Sequence, residues 1–278
     1  MKHSLPSILA ALALSAATVV HAATIIVPDD NPSLHDAVAS AGPGDVVQVR
    51  AGAYTETIRV DGGQTGLLVE AIGGVAQISP SGNDDVVRVK RVDGVTIRGF
   101  TLQPTLNGVL LDGASGTTLE NLDINNGFGD GIRIRGGANN TITNASVTLS
   151  HGSCVRIEKS PGTVVQDSFA NNCRRQGYLV KQSDGVTLQN DWAGGNKGGG
   201  IRALKCPNLT LDGNGADANG ASGIRVQASP NLTITNNHAL GCVQYGIRIQ
   251  ASPPISSTAD LTNANNTGNG GKADLSVN

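Results

Sequence analysis

Apolar residues recur along the chain in short alternating runs, and those runs repeat. Gly108, Gly131, Cys154, Gly177, Gly200, Gly223 and Gly246 follow one another at a fixed interval, read directly from the sequence. The next position in each row is Val109, Ile132, Val155, Tyr178, Ile201, Ile224 or Ile247. Two residues further on come Leu111, Ile134, Ile157, Val180, Ala203, Val226 and Ile249. A second column (Leu119, Ile142, Val165, Leu188, Leu211, Ile234) and a third (Ile124, Val147, Ala170, Ala193, Ala216, Ala239) keep the same period. Alternation of this kind marks strands with one buried face, and the 3.6-residue period of a helix is absent.

Three short strands per row, broken by Gly, Asn and Pro, cannot bury a face alone, but stacked on like neighbours they enclose a continuous interior. The pattern predicts an all-β right-handed parallel β-helix, a solenoid with rungs of 22–23 residues. A leucine-rich consensus is absent. Asn121, Asn144, Asp167, Asn190 and Asn236 share a register broken by Gly213. This predicts a turn ladder, since Asn tolerates left-handed backbone and stacked amides bond along the axis.

The exposed core at the start of a solenoid needs a cap. Asn31-Pro32, then Leu34, Ala37, Val38 and Ala41, then Gly42-Pro43, predict a short N-terminal capping helix with Asn31 as its N-cap. Strands at 46–50, 57–60 and 67–72 start the coil, and one at 272–277 ends it. Before the cap, Leu5 to Val20 is almost wholly apolar and follows Lys2, with small residues at Val20-His21-Ala22. Residues 1–22 read as a secretory signal peptide, leaving 23–278 as a single domain, periplasmic or secreted, with no membrane span.

The stretch TIIVPDDNPSLHDAVASAGPGDVVQVRAGAYTE with the rows that follow resembles the pectate-lyase-like right-handed parallel β-helix superfamily. It is most similar to the repeat proteins that include NosD-like periplasmic proteins and polysaccharide-lyase-like, epimerase and hydrolase chains. The resemblance implies that the sheet opened by the glycine column forms a substrate groove. It also implies that an Arg or Lys on that face serves as base, often with calcium neutralising a sugar carboxylate.

Alternation places Arg88, Leu110, Arg133, Arg156, Leu179, Arg202, Arg225 and Arg248 in one outward column of that sheet. Lys90, Asp112, Arg135, Glu158, Lys181, Leu204, Gln227 and Gln250 form the next. Nine of the 20 Lys and Arg residues thus lie on one face of a chain whose net charge is -2. That balance gives no global basic field of the kind that recruits nucleic acid. Rungs lie about 4.8 Å apart, where two unit charges repel by about 1 kcal/mol in water and more in a less polar setting. The stripe reads either as a soluble face or as a groove for an acidic polysaccharide, since Arg matches carboxylate bidentately.

Uronate lyase or epimerase chemistry needs a cation for the sugar carboxylate and a base for the neighbouring C5 proton. The candidates are Lys181 with Arg202, or Arg156 with His151 beside Asp130. Arg133, Arg135, Glu158, Arg174, Arg225 and Arg248 are the substrate-binding candidates. GDGIRI at 129–134 and SHGSCVRI at 150–157 also resemble the aspartate and histidine segments of polygalacturonases. Gly129 stands where that family would have a second aspartate and Gly108 lies in the row where a third is expected, and hydrolysis needs two carboxyl groups. A non-catalytic binding or scaffold role for the same surface is the alternative.

No cofactor is assigned. Asp112 and Glu158 share a column two rungs apart, too far for one calcium ion with ligands at about 2.3–2.6 Å unless loops contribute. A copper site is not expected either: no Met follows the signal peptide, and His35, His151 and His238 fall in different columns. Cys173 and Cys242 are three rungs apart, and Cys154 and Cys206 occupy different columns, so the reading expects four reduced, buried thiols. Tyr178 falls inward. Phe169, Trp192 and His238 share a register on the far side from the arginines. With aromatics at 3%, an acidic polysaccharide is favoured over a neutral one.

Overall fold

The computed structural model describes residues 22–250, 267–270 and 275–277. Residues 1–21 of the segment expected to be a signal peptide lie outside the described residues. The chain winds as a right-handed parallel β-helix whose strands pair in parallel with their counterparts one turn on. Ten strands, from Ile58–Val60 to Leu275–Val277, stack as one sheet, here the arginine sheet. The second strands of the turns, and the third strands as far as Phe169–Asn171, belong to a 14-stranded sheet that wraps the other sides, while His238–Cys242 pairs separately with Thr267–Gly270. The 14-stranded sheet is joined near the start by the long strand Leu68–Ile78, which pairs with both Thr96–Arg98 and Phe100–Leu102.

The pairing follows the columns. Ile132 lies opposite Val155 and Val109, and Tyr178 opposite Val155 and Ile201. Ile132, Val155, Tyr178, Ile201, Ile224 and Ile247 form one buried stack along the axis. The Tyr178 hydroxyl donates to Ser168 O at 2.9 Å, so its burial leaves no polar atom stranded. The glycine column has a steric cause: a Cβ on Gly131 would sit 2.1 Å from Val147 Cγ1 and 2.7 Å from Cys154 O. Asn121, Asn144, Asp167, Asn190 and Asn236 all have φ between 50° and 55°. Asn144 Nδ2 donates to Asn121 Oδ1 at 2.6 Å, so the turn ladder exists as the sequence suggested.

Three features differ from expectation. The capping helix is Leu34–Ser40, and its N-cap is Ser33, whose Oγ accepts from Asp36 N; Asn31 instead accepts from Ser33 N. Leu34, Ala37 and Val38 are its buried face. The opening strands are longer than the apolar runs, Val46–Tyr54 and Leu68–Ile78, because each bends around a corner without breaking. The thiols are not all reduced. Cys154 and Cys173 form a disulfide with Cα atoms 5.7 Å apart, while Cys206 and Cys242 are free and buried. Whole-rung spacing relates cysteines only along the axis. The bond instead crosses between columns within one turn, from just past its third strand, Phe169–Asn171, back to the residue that opens its arginine-sheet strand, Val155–Glu158.

A second set of ladders runs inside. Ser168, Asp191, Asn214 and Asn237 stack one position beyond the turn column. Each side-chain oxygen from Asp191 onward accepts the backbone N–H of its predecessor, at 2.9 Å. Asn214 and Asn237 also donate Nδ2 to Leu188 O and Leu211 O. Asp191 has no such donor unless it is protonated, and its Oδ2 is buried with no partner. Burial pushes its carboxyl well above the ordinary range, and the Asp167 charge adds to this against the Ser168 and Gln189 N–H groups.

A raised folded-state value means that the stability Asp191 carries is complete below its unfolded value, about 3.9. That stability falls as pH rises toward the folded value. Asp191→Asn should therefore match the wild type in urea denaturation near pH 3.5. At pH 8 it should be more stable by about 1–3 kcal/mol, the cost of one unpaired buried polar atom. A variant less stable at pH 8 would contradict the proton assignment.

Candidate functional site

Parallel pairing fixes where the arginines go. Arg59 lies opposite Arg88, Arg133 opposite Arg156, Arg202 opposite Arg225, and Arg225 opposite Arg248, with Leu110 and Leu179 separating the groups. Alternation turns every one of them outward, so the stripe stands as the sequence predicts and Arg59 extends it by a turn. Arg59 itself is paired with Asp84.

The two halves of the stripe differ electrostatically. In the first, Arg135 makes two hydrogen bonds to Asp112, at 3.0 and 2.9 Å. Glu158 is shared: Arg156 Nη2 donates to its Oε1 at 2.7 Å, while Lys181 Nζ and Arg133 Nη2 each stand 3.7 Å from its carboxylate. Burial opposes ionisation of Glu158, but the Arg156 hydrogen bond and the Arg156, Lys181 and Arg133 charges hold it below its ordinary value. Asp112 and Glu158 each serve these cations.

In the second half, among the described residues, Arg202, Arg225 and Arg248 meet no carboxylate. Arg225 donates twice to Gln250 Oε1, at 3.0 and 2.7 Å, and Arg248 lies 4.3 Å from the centre of the Tyr245 ring. Burial, then the Arg202 and Arg248 charges, pull the Arg225 guanidinium below its ordinary value. Arg202 and Arg225 line one shallow depression with Gln176 and Gln244.

A pocket of about 310 Å³ opens at the first half. Asp130, Arg133, His151, Arg156, Arg175 and Phe128 face it. Asp130 is 6% exposed. Its N–H donates to Asn107 Oδ1 and its own Oδ1 accepts from Ser153 N, both at 2.8 Å, which fixes the carboxyl in an inter-rung ladder. Its Oδ2 is 3.8 Å from Arg156 Nη1. Burial raises the Asp130 carboxyl above its ordinary value; the Ser153 N–H and the charges of Arg156, Arg133 and Arg175 oppose the rise. His151 meets the Phe128 ring edge-on at 4.8 Å.

The pocket thus gathers Asp130, His151, Arg133 and Arg156. Lys181 lies beside Glu158 at its margin, Arg202 lies beyond Leu179, and Arg225 and Arg248 are further along the axis. Arg135 is committed to Asp112. Arg175, not the exposed Arg174, faces the pocket. Phe128 and Arg175 were missed because both lie in loops, where the strand columns give no direction. The hydrolase pattern fails on sterics. A Cβ on Gly129 would sit 2.4 Å from Asn107 Oδ1, and one on Gly108 would sit 2.5 Å from Ile124 Cγ2. Neither position has room for the second carboxylate.

Residues 91–267 match the family described as periplasmic copper-binding protein (NosD). No curated protein sequence matches the chain. Among solved structures, the fold is similar to the A-module of Azotobacter vinelandii mannuronan C-5 epimerase AlgE6. The TM-score is 0.67 at 17% identity, over 87% of this chain and 73% of that one. Pectate lyase Pel9A gives 0.61 at 18% identity, over 88% and 72%. The periplasmic alginate epimerase AlgG gives 0.55 at 14%, over 91% and 81%. These likenesses establish the pectate-lyase-like parallel β-helix fold.

The family description implies copper, and the residues present do not fit it. The one methionine is Met1, and two of the four cysteines are joined. His151 sits against Phe128 and His238 against Trp192. No group of three His, Cys, Asp or Glu side chains converges among the described residues.

The two halves of the stripe should respond oppositely to loss of charge. Arg202→Gln relieves repulsion from Arg225 and should leave the melting temperature equal or higher, with a gain that shrinks as salt is added. Arg156→Gln removes a charged hydrogen bond to Glu158 and should cost about 1–3 kcal/mol. Equal losses from both variants would contradict the electrostatic division.

Proposed function

The chain belongs to the NosD family, and from that membership together with the cationic pocket we propose a periplasmic protein that binds and acts on an acidic polysaccharide laid along the arginine sheet. One observation carries the reading. The only place on the stripe where a carboxyl, an imidazole and three guanidinium groups face one cavity among the described residues is the pocket of Asp130, His151, Arg133, Arg156 and Arg175. The similarity of fold to mannuronan and alginate epimerases and to a pectate lyase supports a uronate as the sugar.

In this reading Arg156 and Arg175 take the uronate carboxylate, which spreads charge away from C5 and acidifies its proton. His151, at the rim, removes that proton as the general base. The resulting carbanion is either reprotonated on the opposite face, which inverts C5, or expels the sugar linked through O4, which leaves an unsaturated uronate. Asp130, whose carboxyl faces the same cavity, returns a proton. Lys181, Arg202, Arg225 and Arg248 bind the carboxylates of neighbouring sugars, with Glu158 holding Arg133, Arg156 and Lys181 in position.

The binding-only alternative has its own support: Asp130 is already used by the fold, through its bonds to Ser153 and Asn107.

Calorimetric titration with an oligouronate tests both readings. Affinity should fall as salt rises, since exposed charges are screened over about 8–10 Å at 0.10–0.15 M. Arg156→Gln with Arg175→Gln should weaken binding about tenfold or more, equivalent to about 1.4 kcal/mol. His151→Ala should keep binding and lose turnover, read as C5 inversion by NMR or as ultraviolet absorbance of the unsaturated product. Binding by the wild type without turnover would leave the binding reading alone. No binding at low salt would remove both.

A further inference from the structure

Phe128 divides the cationic pocket from a second groove of about 550 Å³. We propose that this groove is a subsite for an uncharged sugar, so that the polymer is a heteropolysaccharide in which a neutral residue stands beside the uronate. This rests on the reading of the cationic pocket given above.

The two cavities share a wall and differ in charge. The second is faced by Gln103, Thr105, Asn125, Asn126, Phe128 and Leu149, and no charged side chain lines it. Pro104, also in its wall, is buried, but its other two apolar members are exposed in a way that folding does not explain. Phe128 is 69% exposed and Leu149 is 48% exposed. Phe128 is steadied by its edge contact with His151, the proposed base next door.

Leu149 is the stronger sign. Its backbone is left-handed, at φ 59°. The stacked positions one rung either side are Asn126 and Asn172, at φ 65° and 57°, and the next is Gly195, at 64°. The backbone bonds from Asn126 N to Thr148 O, from Leu149 N to Asn171 O and from Asn172 N to Gly194 O fix that register. Asn and Gly adopt this conformation readily, whereas leucine adopts it at a cost. Here the leucine gains no interior packing in return, since its side chain faces the groove. A strained, exposed apolar residue between rungs that use the relaxed choice points to a ligand contact.

The combination matches a sugar ring. The C–H face of a pyranose packs on Phe128 and Leu149, while the amides of Gln103, Asn125 and Asn126 and the Thr105 hydroxyl supply donors and acceptors for hydroxyl or acetamido groups. No cation is present to favour a second carboxylate.

The test compares three oligosaccharides at low salt: an oligogalacturonate, one alternating glucuronate with glucose, and one alternating glucuronate with N-acetylglucosamine. The proteins are the wild type, Phe128→Ala and Leu149→Asn. At least one mixed oligosaccharide should bind the wild type. Both variants should lose tenfold or more in affinity for it, and Leu149→Asn, which lines only the second groove, should lose less than twofold for the oligogalacturonate. Leu149→Asn should also melt at a higher temperature, which excludes misfolding as the cause. Two results would overturn the subsite: mixed oligosaccharides that fail to bind while the oligogalacturonate binds, or variants that bind every ligand as the wild type does or lose all equally. Binding of none of the three would overturn the cationic-pocket reading as well.

Discussion

Parallel hydrogen bonding between each residue and its counterpart one turn on is the interaction from which the other properties of this molecule descend. It holds the rungs about 4.8 Å apart and sets like on like in every column. Apolar columns gain from that repetition, and Ile132, Val155, Tyr178, Ile201, Ile224 and Ile247 become one buried rod. Polar columns gain where the group both donates and accepts. Asn214 and Asn237 take a backbone N–H from the preceding rung and return an amide hydrogen to a carbonyl of that same rung. Asp191 keeps the shape of that arrangement and lacks its amide donor, so the same stacking that stabilises its neighbours pushes its carboxyl well above the ordinary range.

Charged columns cannot gain in this way, because stacking repeats the sign. The arginine stripe is tolerated by two different means. Over the first turns Asp112, Glu158 and Asp130 are spaced among the cations, and Glu158 alone faces Arg156, Arg133 and Lys181. Over the last described turns the compensation is neutral: Gln250 accepts from Arg225, and Tyr245 lies under Arg248. A surface built only for solubility would gain from a carboxylate there as well. Its absence among the described residues leaves positive potential where a polyanion would lie.

The sequence was most legible where the period applies. The apolar columns, the turn ladder of Asn121 to Asn236, the inward Tyr178 and the outward arginines all follow from alternation and a repeat of 23. What the period could not reach was what crosses between columns. The Cys154–Cys173 bond joins different strands at a separation of 19, so counting whole rungs missed it. Phe128 and Arg175 lie in corner loops, whose direction no column sets. Asp191 belongs to none of the columns that alternation marks, and only the fold shows that it is buried. Gly129 and Gly108 could be read only as missing carboxylates, and the coordinates show that no side chain fits at either.

The family description and the chemistry of the surface pull apart. Soft-metal ligands do not converge among the described residues, whereas guanidinium groups do, on a fold similar to those of uronate epimerases and a pectate lyase. The account therefore stands or falls on the arginines as ligands for carboxylates. The most direct test follows the arginine Nε–Hε signals by NMR during titration with an oligouronate at low salt. Signals of Arg133, Arg156, Arg175, Arg202 and Arg225 should shift saturably, while those of Arg50 and Arg98, paired with Asp29 and Glu70 off this face, should not. No shift on the stripe, or equal shifts in Arg50 and Arg98, would contradict it.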